Sequence, residues 1–84
     1  MIKTEYDPSV DAGYIYLSHN KISNTQEISK GIIIDYDSDN KIVGIEILNV
    51  HHQTAIDLDK LPSFIKDLVL KMIHQVNQEQ LAQI

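Results

Sequence analysis

The segment Gly31–Val50 reads GIIIDYDSDNKIVGIEILNV, and this stretch decides the fold. Two strongly apolar runs, 31–36 and 42–48, flank a short polar turn. Asp37 is able to cap such a turn through its side chain, and Asn40 tolerates the left-handed conformation that the last turn residue needs. β-Branched runs joined by a turn of this kind are typical of a β-hairpin.

The register of this hairpin decides which residues share a face of the sheet. We expect residues 38–40 to form the loop, which would place Ile34 opposite Gly44. In that register each face carries a set of apolar side chains: Ile32, Ile34, Tyr36, Ile42 and Leu48 on one face, and Ile33, Val43, Ile45 and Ile47 on the other. A hairpin with one wet face would alternate apolar and polar residues. We therefore predict two central strands in a sheet that is covered on both sides.

Three further segments have the pattern of strands: Ile2–Tyr6, Ala12–Leu17 and Ser23–Ile28. Pro8 lies in the turn between the first two, because proline cannot pair within a central ladder. The third segment is the most polar, and we expect it at an edge of the sheet. Together with the hairpin, these segments predict an antiparallel β-meander of about five strands.

Beyond Val50 the apolar residues change to a helical spacing. They recur at steps of three and four residues: Ile65, Leu68, Val69, Met72, Ile73 and Val76. This spacing predicts a long amphipathic helix that packs on the sheet, with Asp59 as its N-cap and Pro62 in its first turn. The predicted fold class is therefore α+β, with one domain over 1–84, a sheet part over 1–50, a connector over 51–60 and the helix over 61–84.

The predicted helix is longer than the strands that it covers. At 1.5 Å per residue it would run for ~33 Å, whereas a strand of this chain covers only ~20–26 Å. So small a domain also buries only ~60–65% of its unfolded surface, so a second subunit would complete its core. We therefore predict a homodimer. The interface candidates are Tyr14 and Tyr16 on the sheet and Val76, Leu81 and Ile84 at the end of the helix. The alternative for the end of the helix is that it frays.

Composition limits the classes of partner. The chain has a net charge of −5, no cysteine and seven basic residues, all of them lysines. Contacts to nucleic acid depend on arginine and on a basic surface, so nucleic acid is not an expected partner. No apolar run approaches the ~18 residues that a membrane span needs, and the first residues lack the apolar region of a signal peptide. We expect a soluble cytoplasmic protein that does not bind membranes. Its acidity either serves only solubility or suits a basic protein partner.

The first fifty residues also resemble a known family. The residues that carry the resemblance are Tyr6-Asp7-Pro8, Asp11-Ala12, Tyr14-Ile15-Tyr16-Leu17, Gly31-Ile32, Ile34-Asp35-Tyr36-Asp37 and Val43-Gly44-Ile45-Glu46-Ile47-Leu48. In their order and spacing they are similar to the family catalogued as domain of unknown function 2283. The turn of that family usually ends in glycine, where this chain has Asn40.

The resemblance implies a compact, β-rich prokaryotic domain and supplies no catalytic residue. It also carries an association: family members are often encoded beside small basic proteins that resemble the toxins of toxin–antitoxin pairs. The resemblance therefore implies an antitoxin-like role, in which this chain neutralises a basic partner.

Three patterns are candidates for chemistry. The segment Asp35–Glu46 spaces its acidic residues like a calcium-binding EF-hand loop, but it lacks the central glycine and is flanked by strands rather than helices, which favours a solvated turn.

His51 and His52 are adjacent and would point in opposite directions on an extended chain, and their spacing matches no zinc signature. Glu46 interrupts an apolar strand and needs a partner such as Lys30 or a tyrosine hydroxyl, because an unpaired buried carboxylate is costly. It is either a structural ion pair or a functional carboxylate.

The first functional hypothesis is a small non-enzymatic interaction module that needs no cofactor or metal, homodimeric and antitoxin-like toward a small basic protein. The alternative is a small-molecule or metal-binding module that uses the sheet face and Glu46. A third class is an enzyme that acts through Glu46 or His51 at a subunit interface.

Overall fold

The computed structural model describes residues 2–82, and of residues 79–82 it describes the backbone only. Five strands come first: β1 (Lys3–Asp7), β2 (Ala12–Tyr16), β3 (Asn24–Ser29), β4 (Ile32–Tyr36) and β5 (Ile42–Ile47). A 3-10 turn (Val50–His52), the short helix α1 (Ala55–Leu58) and the long helix α2 (Ser63–Ala82) follow. The predicted α+β class is confirmed.

The five strands form one antiparallel sheet in the order β1-β2-β5-β4-β3. This order differs from a simple meander, because the chain crosses from β2 to the far edge and then returns through β4 to β5. The crossing gives the apolar strand β5 a hydrogen-bonded neighbour on each side and leaves the polar strand β3 at an edge, where it was predicted. The other edge is β1.

The register of the β4–β5 hairpin differs from the predicted one by a single residue. Tyr36 lies opposite Ile42 as predicted, but the next pair is Asp35 with Gly44, so Val43 is an extra residue in β5. An insertion of this kind is a β-bulge, and it shifts every later pair along the strand.

The shift changes the composition of both faces of the hairpin. Four isoleucines of β4 and β5 now share one face and are almost fully buried: Ile32, Ile34, Ile45 and Ile47. The opposite face carries Ile33, Asp35, Gly44 and Glu46. The prediction of a sheet covered on both sides is therefore wrong for the described chain, because a one-residue slip exchanges the two faces of a strand.

Helix α2 packs against the isoleucine face. Its predicted apolar stripe supplies the buried residues Ile65, Val69, Met72 and Val76, while Leu68 and Ile73 are partly buried beside them. The sheet contributes Ile15 and the four isoleucines, and the connector contributes Val50, Leu58 and Leu61. The core is thus a single layer between the sheet and one helix.

The predicted start of this helix needs correction. Helix α2 begins at Ser63, and its first backbone hydrogen bond runs from the Lys66 N–H to the Pro62 carbonyl oxygen. Asp59 instead lies at the end of α1, and its carboxylate accepts a hydrogen bond from the Lys66 amine at 2.6 Å. Within residues 2–82, no helix combines the length and the apolarity that a membrane crossing requires.

The packing of α2 makes a matched pair of substitutions informative. Ile65 is 3% exposed and Leu70 is 42% exposed on the same helix. We expect Ile65→Ala to lower the free energy of unfolding by about 2–5 kcal/mol, because it leaves a cavity in the core. Leu70→Ala should change it by less than about 0.5 kcal/mol. Urea denaturation followed by circular dichroism measures both values, and equal losses would contradict the packing described above.

Candidate functional site

The sheet face that points away from α2 is formed by two rows of side chains that cross all five strands. The first row contains Glu5, Tyr14, Glu46, Ile33 and Glu27, and the second contains Lys3, Tyr16, Gly44, Asp35 and Thr25. We call these ten residues the open face. It is the candidate site, because charged and aromatic side chains are concentrated on it and α2 packs on the other side of the sheet.

A buried carboxylate organises the second row. Asp35 is 9% exposed and accepts hydrogen bonds from the Tyr14 hydroxyl at 2.5 Å and from the Thr25 hydroxyl at 2.7 Å. Gly44 makes the first contact possible, since a Cβ atom there would overlap the Tyr14 hydroxyl oxygen. Burial and the Asp35 carboxylate raise the pKa of Tyr14, so this hydroxyl stays protonated and donates its hydrogen bond.

A second tyrosine lies beside the first. The ring centroids of Tyr14 and Tyr16 are 4.6 Å apart. The Tyr16 hydroxyl donates to the Glu5 carboxylate at 3.1 Å, and this hydrogen bond raises the pKa of Tyr16. Lys3 contacts the same carboxylate at 3.3 Å. The two tyrosines therefore form a small aromatic surface whose hydroxyl groups are held in place.

Glu46 lies at the centre of the open face, on the central strand between Tyr14 and Ile33. Its side chain is half-buried. Among the side chains that the structure describes, none forms a hydrogen bond or ion pair with its carboxylate. The predicted partners are absent, since both neighbouring tyrosine hydroxyls donate to other carboxylates and Lys30 lies by a separate groove around Gln53. The Glu46 carboxylate is therefore available to a ligand.

The open face is strongly acidic. It carries the carboxylates of Glu5, Glu27, Asp35 and Glu46 against the single ammonium group of Lys3. The Glu27 carboxylate also accepts the Gly31 N–H at 3.0 Å, which fixes the turn between β3 and β4. Surplus negative charge on one face favours an approaching cationic surface.

The predicted interface candidates do not come together. Tyr14 and Tyr16 lie on the open face, whereas Val76 is 3% exposed in the core on the opposite side of the sheet. The Val76 side chain is already covered by this chain, because it packs between α2 and the sheet. The predictions for the Leu81 side chain and for Ile84 fall outside the described part of the chain.

The EF-hand-like spacing is explained by the hairpin turn. The Asp37 carboxylate accepts the backbone N–H groups of Lys41 at 3.0 Å and Asp39 at 2.8 Å and the side-chain amide of Asn20 at 3.0 Å. The hydrogen bond from Lys41 is the largest of the contributions that lower the pKa of Asp37. Asp35 is engaged on the open face. Within residues 2–82, no three acidic or histidine side chains are grouped as metal ligands.

A second polar cluster joins residues that are far apart in sequence. His51 Nδ1 lies 2.6 Å from Asp11 Oδ1, its backbone N–H donates to Asp11 Oδ2 at 3.1 Å, and the Tyr6 hydroxyl donates to Asp11 Oδ1 at 2.8 Å. These two residues are 40 positions apart, so no local motif of the sequence pairs them. The hydrogen bonds of this cluster connect the 3-10 turn to the β1–β2 loop. His52 lies apart from this cluster and lines the groove around Gln53. The two histidines diverge from a 3-10 turn and not from the extended chain that was expected.

Fold and site together define a small α+β protein with an open, acidic and aromatic sheet face. The chain belongs to the family described as protein of unknown function (DUF2283), whose model matches residues 3–51. The matched part contains all five strands and therefore the whole open face, while α2 lies beyond it. The comparisons found no matching curated protein and no matching solved structure.

The Asp11 cluster predicts how stability depends on pH. Partial burial raises the pKa of Asp11. The hydrogen bonds from His51 and Tyr6 outweigh this effect and lower the pKa below its ordinary value of 3.8. Because the folded-state pKa is the lower one, the stabilisation is complete above the ordinary pKa and is lost as the pH falls through the folded value. Asp11→Asn should therefore reduce stability at pH 7 and make it depend less on pH below about 4.

Urea denaturation at a series of pH values from 7 to about 2 measures this effect. Asp67→Asn is the matched control, since Asp67 is exposed on α2. Identical pH profiles for Asp11→Asn and the natural chain would show that the cluster does not stabilise the fold.

Proposed function

We propose that this chain is a non-enzymatic interaction module that binds a small basic protein through the open face, in the manner of an antitoxin that neutralises its toxin. The observation that carries the proposal is the Glu46 carboxylate, half-buried and unpaired at the centre of an acidic surface. A lysine or arginine of a partner would pair with this carboxylate through a charge-assisted hydrogen bond.

The surroundings of Glu46 suit a protein partner. Tyr14 and Tyr16 supply aromatic area at the centre of the face, and tyrosine is enriched among residues that dominate binding energy. The hydrogen bonds to Asp35 and Glu5 hold both rings in one orientation. A partner therefore meets an ordered surface and does not have to immobilise it, which lowers the entropic cost of binding.

Charge favours a basic partner over a second copy on this face. Two open faces placed together would oppose four carboxylates to four others, with only Lys3 of each copy to offset them. Juxtaposed like charges cost several kcal/mol at an interface. We assign the proposed homodimer to another surface and place both associations in a prokaryotic cytoplasm, as the family resemblance and composition imply.

The alternative is a small-molecule or metal site at Glu46. Small-molecule sites are concave and enclose most of the ligand surface. The open face is one side of a sheet, and the grooves around Gln53 and between β1 and α2 lie away from it. We therefore rank the alternative below a protein partner.

Co-expression with the product of the adjacent gene tests the proposal. We expect a basic product to co-purify with the tagged natural chain. Glu46→Lys should weaken the complex at least about tenfold, because reversal of a central charge removes one ion pair and adds a repulsion. Glu46→Gln should give a smaller loss, since it keeps the shape and removes only the charge.

Asp67→Lys is the control with the same change in net charge, placed on the exposed side of α2. It should leave the dissociation constant unchanged in calorimetric titration. A basic product that fails to co-purify, or equal losses for Glu46→Lys and Asp67→Lys, would overturn the assignment of the open face.

A further inference from the structure

The two edges of the sheet differ in regularity. Strand β1 pairs with β2 through five consecutive residues without a register shift, so its outer edge presents a regular series of backbone donors and acceptors. Strand β3, at the other edge, contains an irregularity between Glu27 and Ser29. Bulges are a common way to protect an edge from pairing with another chain. The edge at β1 lacks this protection.

The sequence of β1 is complementary to itself. It reads Lys3-Thr4-Glu5-Tyr6-Asp7, with a cation and an anion placed symmetrically about Thr4. Lys3 and Glu5 project on the open face with side chains that are 62% and 54% exposed. Their contact at 3.3 Å is an exposed ion pair of small energetic value, which leaves both groups free to exchange partners.

We propose that a second copy of this chain pairs with β1 in antiparallel orientation, with the two-fold axis passing beside Thr4. Lys3 of each copy then lies opposite Glu5 of the other, which gives two cross-strand ion pairs of the kind that stabilise antiparallel strands. This inference deepens the homodimer part of the proposed function, since it names the surface through which the copies associate.

The charges select this register over its neighbours. A two-fold axis perpendicular to the sheet pairs residues of the same face, so it must pass beside one residue of the strand. An axis at Lys3, Glu5 or Asp7 would place that charge opposite its own copy. An axis at Tyr6 would place Glu5 opposite Asp7. Among the residues of β1, only Thr4 gives a pairing without opposed like charges.

The other face of the edge also gains from this pairing. Ile2 is 58% exposed, and one further step along the register would place it opposite Tyr6 of the second copy. Pairs of aromatic and β-branched residues stabilise antiparallel strands. The groove between β1 and α2, lined by Ile2, Thr4, Leu68 and Met72 among others, opens beside this edge. A second copy would therefore cover apolar surface that the single chain leaves exposed.

Cysteine cross-linking tests the position of the axis. The chain contains no cysteine, so Thr4→Cys introduces a single thiol. Directly opposed residues of antiparallel strands have Cα atoms about 4.5–5.5 Å apart, which a disulfide spans without distortion. We expect a disulfide-linked dimer under mild oxidation. Gln26→Cys, exposed on the opposite edge strand β3, is the matched control and should stay monomeric on a non-reducing gel.

A charge exchange tests the ion pairs separately. Lys3→Glu and Glu5→Lys should each raise the dissociation constant of the dimer about tenfold, because each puts like charges opposite one another. The double variant Lys3→Glu/Glu5→Lys restores complementary pairs and should return the constant to within about threefold of the natural value. The two single changes shift the net charge in opposite directions, so an effect of overall charge would not weaken both dimers.

Sedimentation equilibrium measures these constants. A natural chain that stays monomeric at about 100 μM would overturn the inference. So would Thr4→Cys that cross-links no faster than Gln26→Cys, or a double variant that remains as weak as the single ones. The dimer is measured on the chain alone and the basic partner through Glu46, so the two proposals stand or fall in separate experiments.

Discussion

The β-bulge at Val43 is the constraint on which the rest of the structure depends. One extra residue in β5 turns Ile45 and Ile47 to the same side as Ile32 and Ile34, and these side chains form a continuous apolar surface for α2. Helix α2 and the connector residues Val50, Leu58 and Leu61 then cover this surface. The same shift moves Gly44 and Glu46 to the other side, where Asp35 lies. The bulge therefore creates the core and the open face in one step.

The open face combines satisfied and unsatisfied polar groups. Asp35 is buried, and its two oxygens each accept a hydroxyl hydrogen bond, from Tyr14 and from Thr25. Gly44 leaves the space that the Tyr14 ring occupies. These contacts hold the aromatic surface in place and satisfy both oxygens of the Asp35 carboxylate. Glu46 lies in the neighbouring row and has no such contacts. Its carboxylate is therefore surrounded by ordered side chains and is free to pair with a ligand.

Local signals in the sequence predicted the elements, and contacts between distant residues determined their assembly. Helical spacing identified the buried residues of α2, and turn chemistry identified the β4–β5 hairpin. The bulge escaped prediction because the reason for Gly44 is the hydroxyl of Tyr14, thirty positions earlier. The pairing of Asp11 with His51 depends on the β1–β2 loop meeting the 3-10 turn, which no local pattern encodes. Glu46 is unusual already in the sequence because it interrupts an apolar strand, but its place on the open face follows from the register.

The two proposed surfaces support one another geometrically. A two-fold axis perpendicular to the sheet keeps both open faces on the same side of the joined sheet, with both α2 helices on the other side. The acidic surfaces of the two copies would then lie side by side, and the potential that attracts a cationic partner would extend across both. The open face and strand β1 lie within residues 3–51, the part that matches the family, whereas Ile2 and α2 lie outside it. Both proposed contacts therefore centre on the sheet, while the helix covers the apolar face that the bulge creates.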